Sequence, residues 1–202
     1  MRATVYVDGF NLYYGCLRGT NYRWLNLGRL CHLLVPTHEI HRIRYFTARV
    51  QSRPDDPQKA ARQQLYLRAL QTIPQLSIHY GHYLSQTVRM PLAHPSPTGP
   101  KTVEVMKTEE KGSDVNIATY LLVDSYAKDD DLAVVMSNDS DLKLPIELVR
   151  QNLGRDVGVL NPHHNVSRAL HGVATFYKPI RTGVLAASLF PSTLTDSHGA
   201  FT

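Results

Sequence analysis

The feature that most constrains this chain is a repeated arrangement in which a short apolar run leads into an aspartate. Thr4-Val5-Tyr6-Val7 leads into Asp8-Gly9-Phe10-Asn11, and Leu132-Ala133-Val134-Val135-Met136 leads into Ser137-Asn138-Asp139-Ser140-Asp141. Between them, Val103-Glu104-Val105-Met106 reaches Asp114 through Glu109-Glu110-Lys111-Gly112-Ser113. Short β-branched runs followed by helical patterns predict parallel strands of an α/β sheet. Ligands of such sheets sit outside the carboxyl ends of the strands, so three aspartates at three such ends are expected to share one mouth. Clustered carboxylates repel one another unless protons or a cation neutralise them. A hard divalent cation with oxygen ligands is the simplest neutraliser at neutral pH, and the pattern therefore predicts an acidic metal site.

A chain of 202 residues suits one well-buried domain. No apolar run approaches the roughly 20 residues that span a bilayer. The N-terminus goes straight into a strand carrying a candidate ligand, which argues against a signal peptide. Cys16 and Cys31 have neither metal spacing nor a disulfide framework, as expected of reduced thiols in a cytoplasmic protein. A net charge of +5 favours a polyanionic partner. A basic surface around an acidic mouth suits an enzyme that grips a phosphodiester backbone with cations and cuts it with metal.

Residues 2–8 predict a central strand, with Gly9 allowing a tight exit. A helix is expected over 27–35 behind Asn26 as N-cap, and a strand over 40–50 whose Arg42, Arg44 and Arg49 stay solvated. A helix to about residue 72, a strand over 76–84 and a proline-rich loop over 91–100 follow. The clearest helix covers 114–126, with Val115, Ala118 and Leu122 on one face. Strand 132–136, a helix to about 152, strand 156–160, a short helix near 166–170 and a strand near 174–177 complete the domain over 1–180. Residues 181–202 are Ser/Thr-rich and predict a peripheral or poorly ordered tail.

Each candidate has a structural alternative. Asp8 is also a turn-former before Gly9, Asp114 also complements a helix dipole, and Asp139 or Asp141 is also an N-cap. Asn11 can orient Asp8, hold a metal-bound water or cap the next turn. Spacing does not decide whether Glu109 or Glu110 points inward. His79, His82, His163 and His164 lack a His-Glu-x-x-His arrangement and are expected to be surface or sheet histidines.

Asp8-Gly9-Phe10-Asn11-Leu12-Tyr13, Glu110-Lys111-Gly112-Ser113-Asp114-Val115 and Ser137-Asn138-Asp139-Ser140-Asp141-Leu142 together resemble the three motifs of the NYN domain family, within the PIN-like nuclease superfamily. The resemblance covers roughly residues 2–178. It implies a Rossmann-like, PIN-like three-layer fold with a mainly parallel sheet and a ribonuclease-type site dependent on Mg²⁺ or Mn²⁺. Asp8, Asp114 and Asp139 map onto the metal-binding carboxylates, supported by Asp141 and Asn11. Asn138 departs from the glycine that many relatives carry.

The expectation is a metal-dependent endoribonuclease acting on RNA, single-stranded by preference. Lys111, Lys143, Arg49, Arg53, Lys59 and Arg62 are candidates for phosphate contacts. Tyr13, Tyr14 and Trp24 are candidates for base stacking or for the core. Two alternatives stand beside it: a non-catalytic RNA-binding adaptor, and a pyridine-type hydroxylase, an activity attributed to some family members.

Overall fold

The computed structural model describes residues 1–52 and 54–202. The chain begins with β1 (Arg2–Asp8), α1 (Gly9–Leu12) and a π-helical turn (Tyr13–Leu17). It continues through α2 (Leu27–Leu34), β2 (Glu39–Thr47), α3 (Lys59–Leu70) and β3 (Leu76–Tyr80). Next come β4 (His82–Pro91), β5 (Thr102–Lys111), α4 (Ser113–Ala127) and β6 (Leu132–Met136). A 3₁₀ turn (Ser140–Leu142) precedes α5 (Lys143–Asn152), β7 (Asp156–Asn161), α6 (Arg168–Val173) and β8 (Phe176–Pro179). Helix α7 (Thr182–Ala186) and the strands β9 (Leu194–Asp196) and β10 (Gly199–Phe201) end the chain.

Six strands form one sheet in the order β3-β2-β1-β6-β7-β8, and every pairing within it is parallel. The centre of the sheet is buried on both faces, which explains the near-continuous apolar runs of β1 and β6. Alternation sends Ala3, Val5 and Val7 of β1 into a core shared with α2 and α3, while Tyr6 faces a second core with α4, α5 and α6. Strand β6 does the same with Val134 and Met136 against Ala133 and Val135. The result is the three-layer α/β arrangement expected of a PIN-like fold. Among the described residues no helix is long and apolar enough to cross a membrane.

Three expectations need correction. Residues 102–111 do not join the parallel sheet; β5 pairs antiparallel with β4 as a separate two-stranded ribbon, with the proline-rich segment at its tip. Glu104 interrupts the run Val103-Glu104-Val105-Met106, and Met106 remains 70% exposed, as suits a ribbon that stands outside the packed sheet. Arg44 is not solvated. It makes two bonds to the buried Asp124 carboxylate, at 2.7 and 2.8 Å, and Asp124 also accepts from the Tyr6 hydroxyl at 3.0 Å. Removing either partner of such a pair leaves a buried charge uncompensated.

The third correction concerns residues 181–202, which pack into the α2/α3 core through Leu185, Phe190 and Phe201. The Trp24 indole donates to the Pro191 carbonyl at 3.1 Å, and Arg68 binds Asp196 at 2.6 and 2.8 Å. These apolar residues are few but well separated, so each reaches a different part of the core. Phe190, 6% exposed and packed on the Trp24 ring at 5.8 Å, is the most informative test. Phe190→Ala should cost about 3–5 kcal/mol, the range for truncating a buried phenylalanine. Urea unfolding measures this, and a loss under about 1 kcal/mol, typical of surface changes, would restore the peripheral tail.

Candidate functional site

With all six strands parallel, their carboxyl ends lie on one edge, and the chain reverses direction across the sheet between β1 and β6. That crevice is where open α/β sheets bind ligands. Asp8 ends β1 on one side of it, and residues 137–139 follow β6 on the other.

Asp8 is 4% exposed. Its Oδ1 accepts from the Asn11 backbone N–H at 2.9 Å, making it the cap of α1, and its Oδ2 accepts from the Ser137 hydroxyl at 2.9 Å. Ser137 Oγ accepts in turn from the Asp139 N–H at 3.1 Å, and Asn11 Oδ1 accepts from the Asn138 N–H at 2.9 Å. The two strand-end loops are thus tied to each other across the crevice. Asn138 extends the network: its Oδ1 accepts from the Tyr177 hydroxyl at 2.7 Å and from the Ser167 N–H at 3.0 Å. An asparagine at this position therefore anchors the loop, which glycine cannot do.

Asp114 arrives by a different route from the one its preceding apolar run suggests. It lies in the first turn of α4, directly after the ribbon. Gly112 turns the chain there with φ +101°, a conformation that L side chains rarely adopt. Gly81, between β3 and β4, lets the base of the ribbon close: a Cβ there would meet the Lys111 carbonyl and the Glu110 carboxylate. Glu110 accepts from the Ser113 N–H at 3.2 Å and its hydroxyl at 2.9 Å.

A pocket of about 370 Å³ is lined by Asp8, Asp114, Asp139, Glu110, Asn11 and His163, together with Phe10, Tyr14, Tyr83 and Ser113, and, among the described residues, by no lysine or arginine. The inward glutamate is Glu110; Glu109 instead binds Lys107 at 2.6 Å and Lys111 at 3.2 Å. Asp139 lines the pocket and also caps the 3₁₀ turn, accepting from the Asp141 N–H at 2.9 Å. Asp141 is exposed and outside the lining, though its charge is felt at Asp114.

The described cationic candidates lie outside the lining of this pocket. Lys111 is held by Glu109, Lys143 is exposed at the start of α5, and Arg49 lies over the Tyr80 ring at 5.0 Å. Arg53 lies outside the described residues. His163 is the residue that motif reasoning missed. It lies two residues past β7, at the sheet edge where Asp8 ends β1, so the strand-end argument applied to all strands finds it. Gly15 admits it, since a Cβ at Gly15 would approach the His163 ring to 2.8 Å.

Burial pushes the Asp8 carboxyl up to about 6. The bonds from Asn11 and Ser137 oppose the rise, and repulsion from Asp114 and Asp139 adds to it. Asp114 is raised as well, by desolvation first and then by Asp139, Glu110 and Asp141. Among the described residues, no lysine or arginine in the lining offsets these carboxylates.

The fold is similar to the crystal structure of a protein of unknown function from Vibrio parahaemolyticus, with a TM-score of 0.60 and 18% identity over 94% of this chain and 96% of that one. That similarity shows a shared α/β fold. The NYN domain model matches residues 2–179, and the chain belongs to this nuclease-type family. It is also similar to 6-hydroxy-3-succinoylpyridine 3-monooxygenase of Pseudomonas putida, with 29% identity over 221 residues, covering 95% of this chain and 70% of the relative.

A carboxyl raised by folding adds stability only while protonated. Its contribution is complete below the unfolded value of 3.8 and is lost as pH rises through about 6. In metal-free buffer, Asp8→Asn should therefore be more stable than the parent at pH 7, by at most about 3 kcal/mol at 1.36 kcal/mol per pKa unit. The amide can still accept from Asn11 and donate to Ser137. The advantage should shrink as pH falls from 7 to 4 in denaturant titrations. A parent as stable as the variant at pH 7 would show that the Asp8 charge carries no such cost.

Proposed function

We propose that this chain is a metal-dependent endoribonuclease that hydrolyses phosphodiester bonds of single-stranded RNA. The observation that carries the reading is the gathering of Asp8, Asp114 and Asp139 around one pocket that has, among the described residues, no lysine or arginine in its lining, in a chain of the NYN family.

Mg²⁺ or Mn²⁺ fits the donor set by chemistry, since hard cations take carboxylate and amide oxygens. A cation would also offset the desolvation, and the lesser mutual repulsion, that raise Asp8 and Asp114. Among the described residues no three acidic, histidine or cysteine groups are already gathered closely enough to hold an ion. The fit therefore rests on donor type and on uncompensated charge. Asp8, Asp114 and Asp139 would hold the ion, with Asp141 and Glu110 at its periphery. When bound, such an ion supplies Lewis acidity and an activated water.

The protein's own groups set the geometry. Asp8 is immobilised by Asn11 and Ser137, so it offers a fixed carboxylate edge. Asn11 has its amide oxygen engaged by Asn138, which leaves its amide N–H groups to hold solvent or a phosphate oxygen. His163 is the pocket's one imidazole and is suited to donate to a leaving or bridging oxygen. Lys143 and Arg49, outside the pocket, would contact flanking phosphates, where point charges position the strand without reading its sequence. A cytoplasmic location belongs to the same reading. It rests on two unpaired cysteines, Cys16 and Cys31, whose thiols burial pushes up to about 12.

A second reading, hydroxylation of a pyridine-type ring, is favoured by one observation, the relative from Pseudomonas putida that is similar across 95% of this chain. Consumption of a reduced nicotinamide upon addition of a hydroxypyridine separates it from the nuclease.

The nuclease reading predicts that Asp139→Asn lowers Mn²⁺-dependent RNA cleavage by more than about a hundredfold, because even residues supporting a metal ligand typically cost 10–100-fold. The fold should persist, since asparagine caps about as well as aspartate. Cleavage of a single-stranded oligonucleotide, beside thermal melts with and without Mn²⁺, measures both. Full activity in a folded variant would exclude Asp139 from the chemistry.

A further inference from the structure

A second cavity, of about 340 Å³, adjoins the acidic pocket, and Phe10, Tyr14 and Tyr83 line both. Its character is opposite. No aspartate or glutamate lines it, whereas Arg23, Lys59 and Arg62 do. Its inner wall is aromatic: Tyr66 packs against Trp24 at 6.1 Å and edge-on against Tyr45 at 6.5 Å, and all three line the space. Gly9 sets the distance between this wall and the strand end, since a Cβ there would meet the Tyr45 ring and the Phe46 carbonyl at 2.6–2.7 Å.

The polar groups of the wall are largely engaged within the protein. The Tyr66 hydroxyl donates to the Leu25 carbonyl at 2.9 Å, and the Trp24 indole donates to Pro191. Gln63 uses both ends of its amide, donating to Ala48 O at 2.8 Å and accepting from Val50 N at 2.9 Å. Arg62 is paired with Asp56 at 2.6 Å, whereas Arg23 and Lys59 form no ion pair among the described residues. The cavity thus offers ring faces and edges inside and, among the described residues, two lining cations that no ion pair holds, Arg23 and Lys59. Its size is at the lower end of small-molecule sites, about 300–1,000 Å³.

We propose that this cavity binds a planar aromatic ring bearing an anionic group, with the ring against Tyr45, Tyr66 and Trp24 and the phosphate or carboxylate held by Arg23 and Lys59. Aromatic walls bind rings by offset stacking and edge contacts, and the lining cations place the anion away from the carboxylates next door. A nucleotide of an unpaired strand and a small heteroaromatic acid share this chemistry. The inference does not require the acidic pocket to cleave RNA.

Trp24 is the only tryptophan, so its emission reports directly on the wall. The metal-free full chain is titrated with uridine and adenosine 5′-monophosphates, with pyridine-3-carboxylate, with the uncharged nucleosides and with inorganic phosphate. Saturable changes in Trp24 emission are expected for the ring-plus-anion probes, with affinities at least tenfold above those of nucleoside or phosphate alone. Arg23→Ala combined with Lys59→Ala, at positions outside the buried core, should lower that affinity at least tenfold without changing the melt.

Tighter binding of the monophosphates identifies the source as nucleic acid, and tighter binding of the pyridine acid identifies a small heteroaromatic acid. Asp139→Asn should bind the probes like the parent, so loss of cleavage with retained binding separates the two readings. The proposal is overturned if no ring-plus-anion probe saturates, if phosphate alone binds as tightly, or if the double variant binds like the parent.

Discussion

The carboxylate of Asp8 sits at the end of the central strand, out of water, with two neutral donors and, among the described residues, no lysine or arginine in the pocket it borders. Burying an ionised carboxylate costs several kcal/mol unless hydrogen bonds or an opposite charge offset it. Here the offset is partial, and the carboxyl is raised to about 6. The same two bonds have a structural consequence. Through Ser137 and Asn11 they fix the loop after β6 to the loop after β1, and through Asn138 they reach Ser167 and Tyr177. One buried charge thereby organises the whole carboxyl edge, and its cost in isolation is the physical argument that a cation belongs beside it.

Around that edge the protein separates charge. Acidic groups face one pocket and basic groups the adjoining one, with Phe10, Tyr14 and Tyr83 between them. A ligand that is anionic and aromatic meets attraction in the second cavity and repulsion in the first, unless a cation is present. Such a division sets the orientation in which a substrate enters, whichever bond is then broken. The exposed ribbon of β4 and β5 contributes Tyr83 and Glu110 to the same boundary, so an element outside the main sheet completes the site.

Much of this was legible in the residues. Strands β1 and β6 declare themselves because burial on both faces demands uninterrupted apolar runs, and an aspartate after such a strand can only sit at the carboxyl edge. The path to Asp114 is misleading: Val103–Met106 suggests a parallel strand, but Glu104 interrupts the apolar run and Lys107, Thr108, Glu109 and Glu110 end it, as suits a solvated ribbon. Arg44 was expected in solvent because its partner, Asp124, is 80 positions away and no local pattern joins them. The C-terminal segment reads as a tail because Leu185, Phe190 and Phe201 are diluted among serines and threonines, although each fills a separate niche. His163 is invisible to a search for zinc spacing. Its significance comes only from lying at the end of β7, beside Gly15.

The central claim is that Asp8, Asp114 and Asp139 serve one cation. Anomalous diffraction from crystals soaked in Mn²⁺ tests it most directly. The account predicts one or two peaks within coordinating distance of the three carboxylates, about 2.0–2.4 Å as for hard cations on oxygen, and their disappearance in Asp8→Asn. A soaked crystal with no peak in this pocket, or with manganese bound only elsewhere, would contradict it.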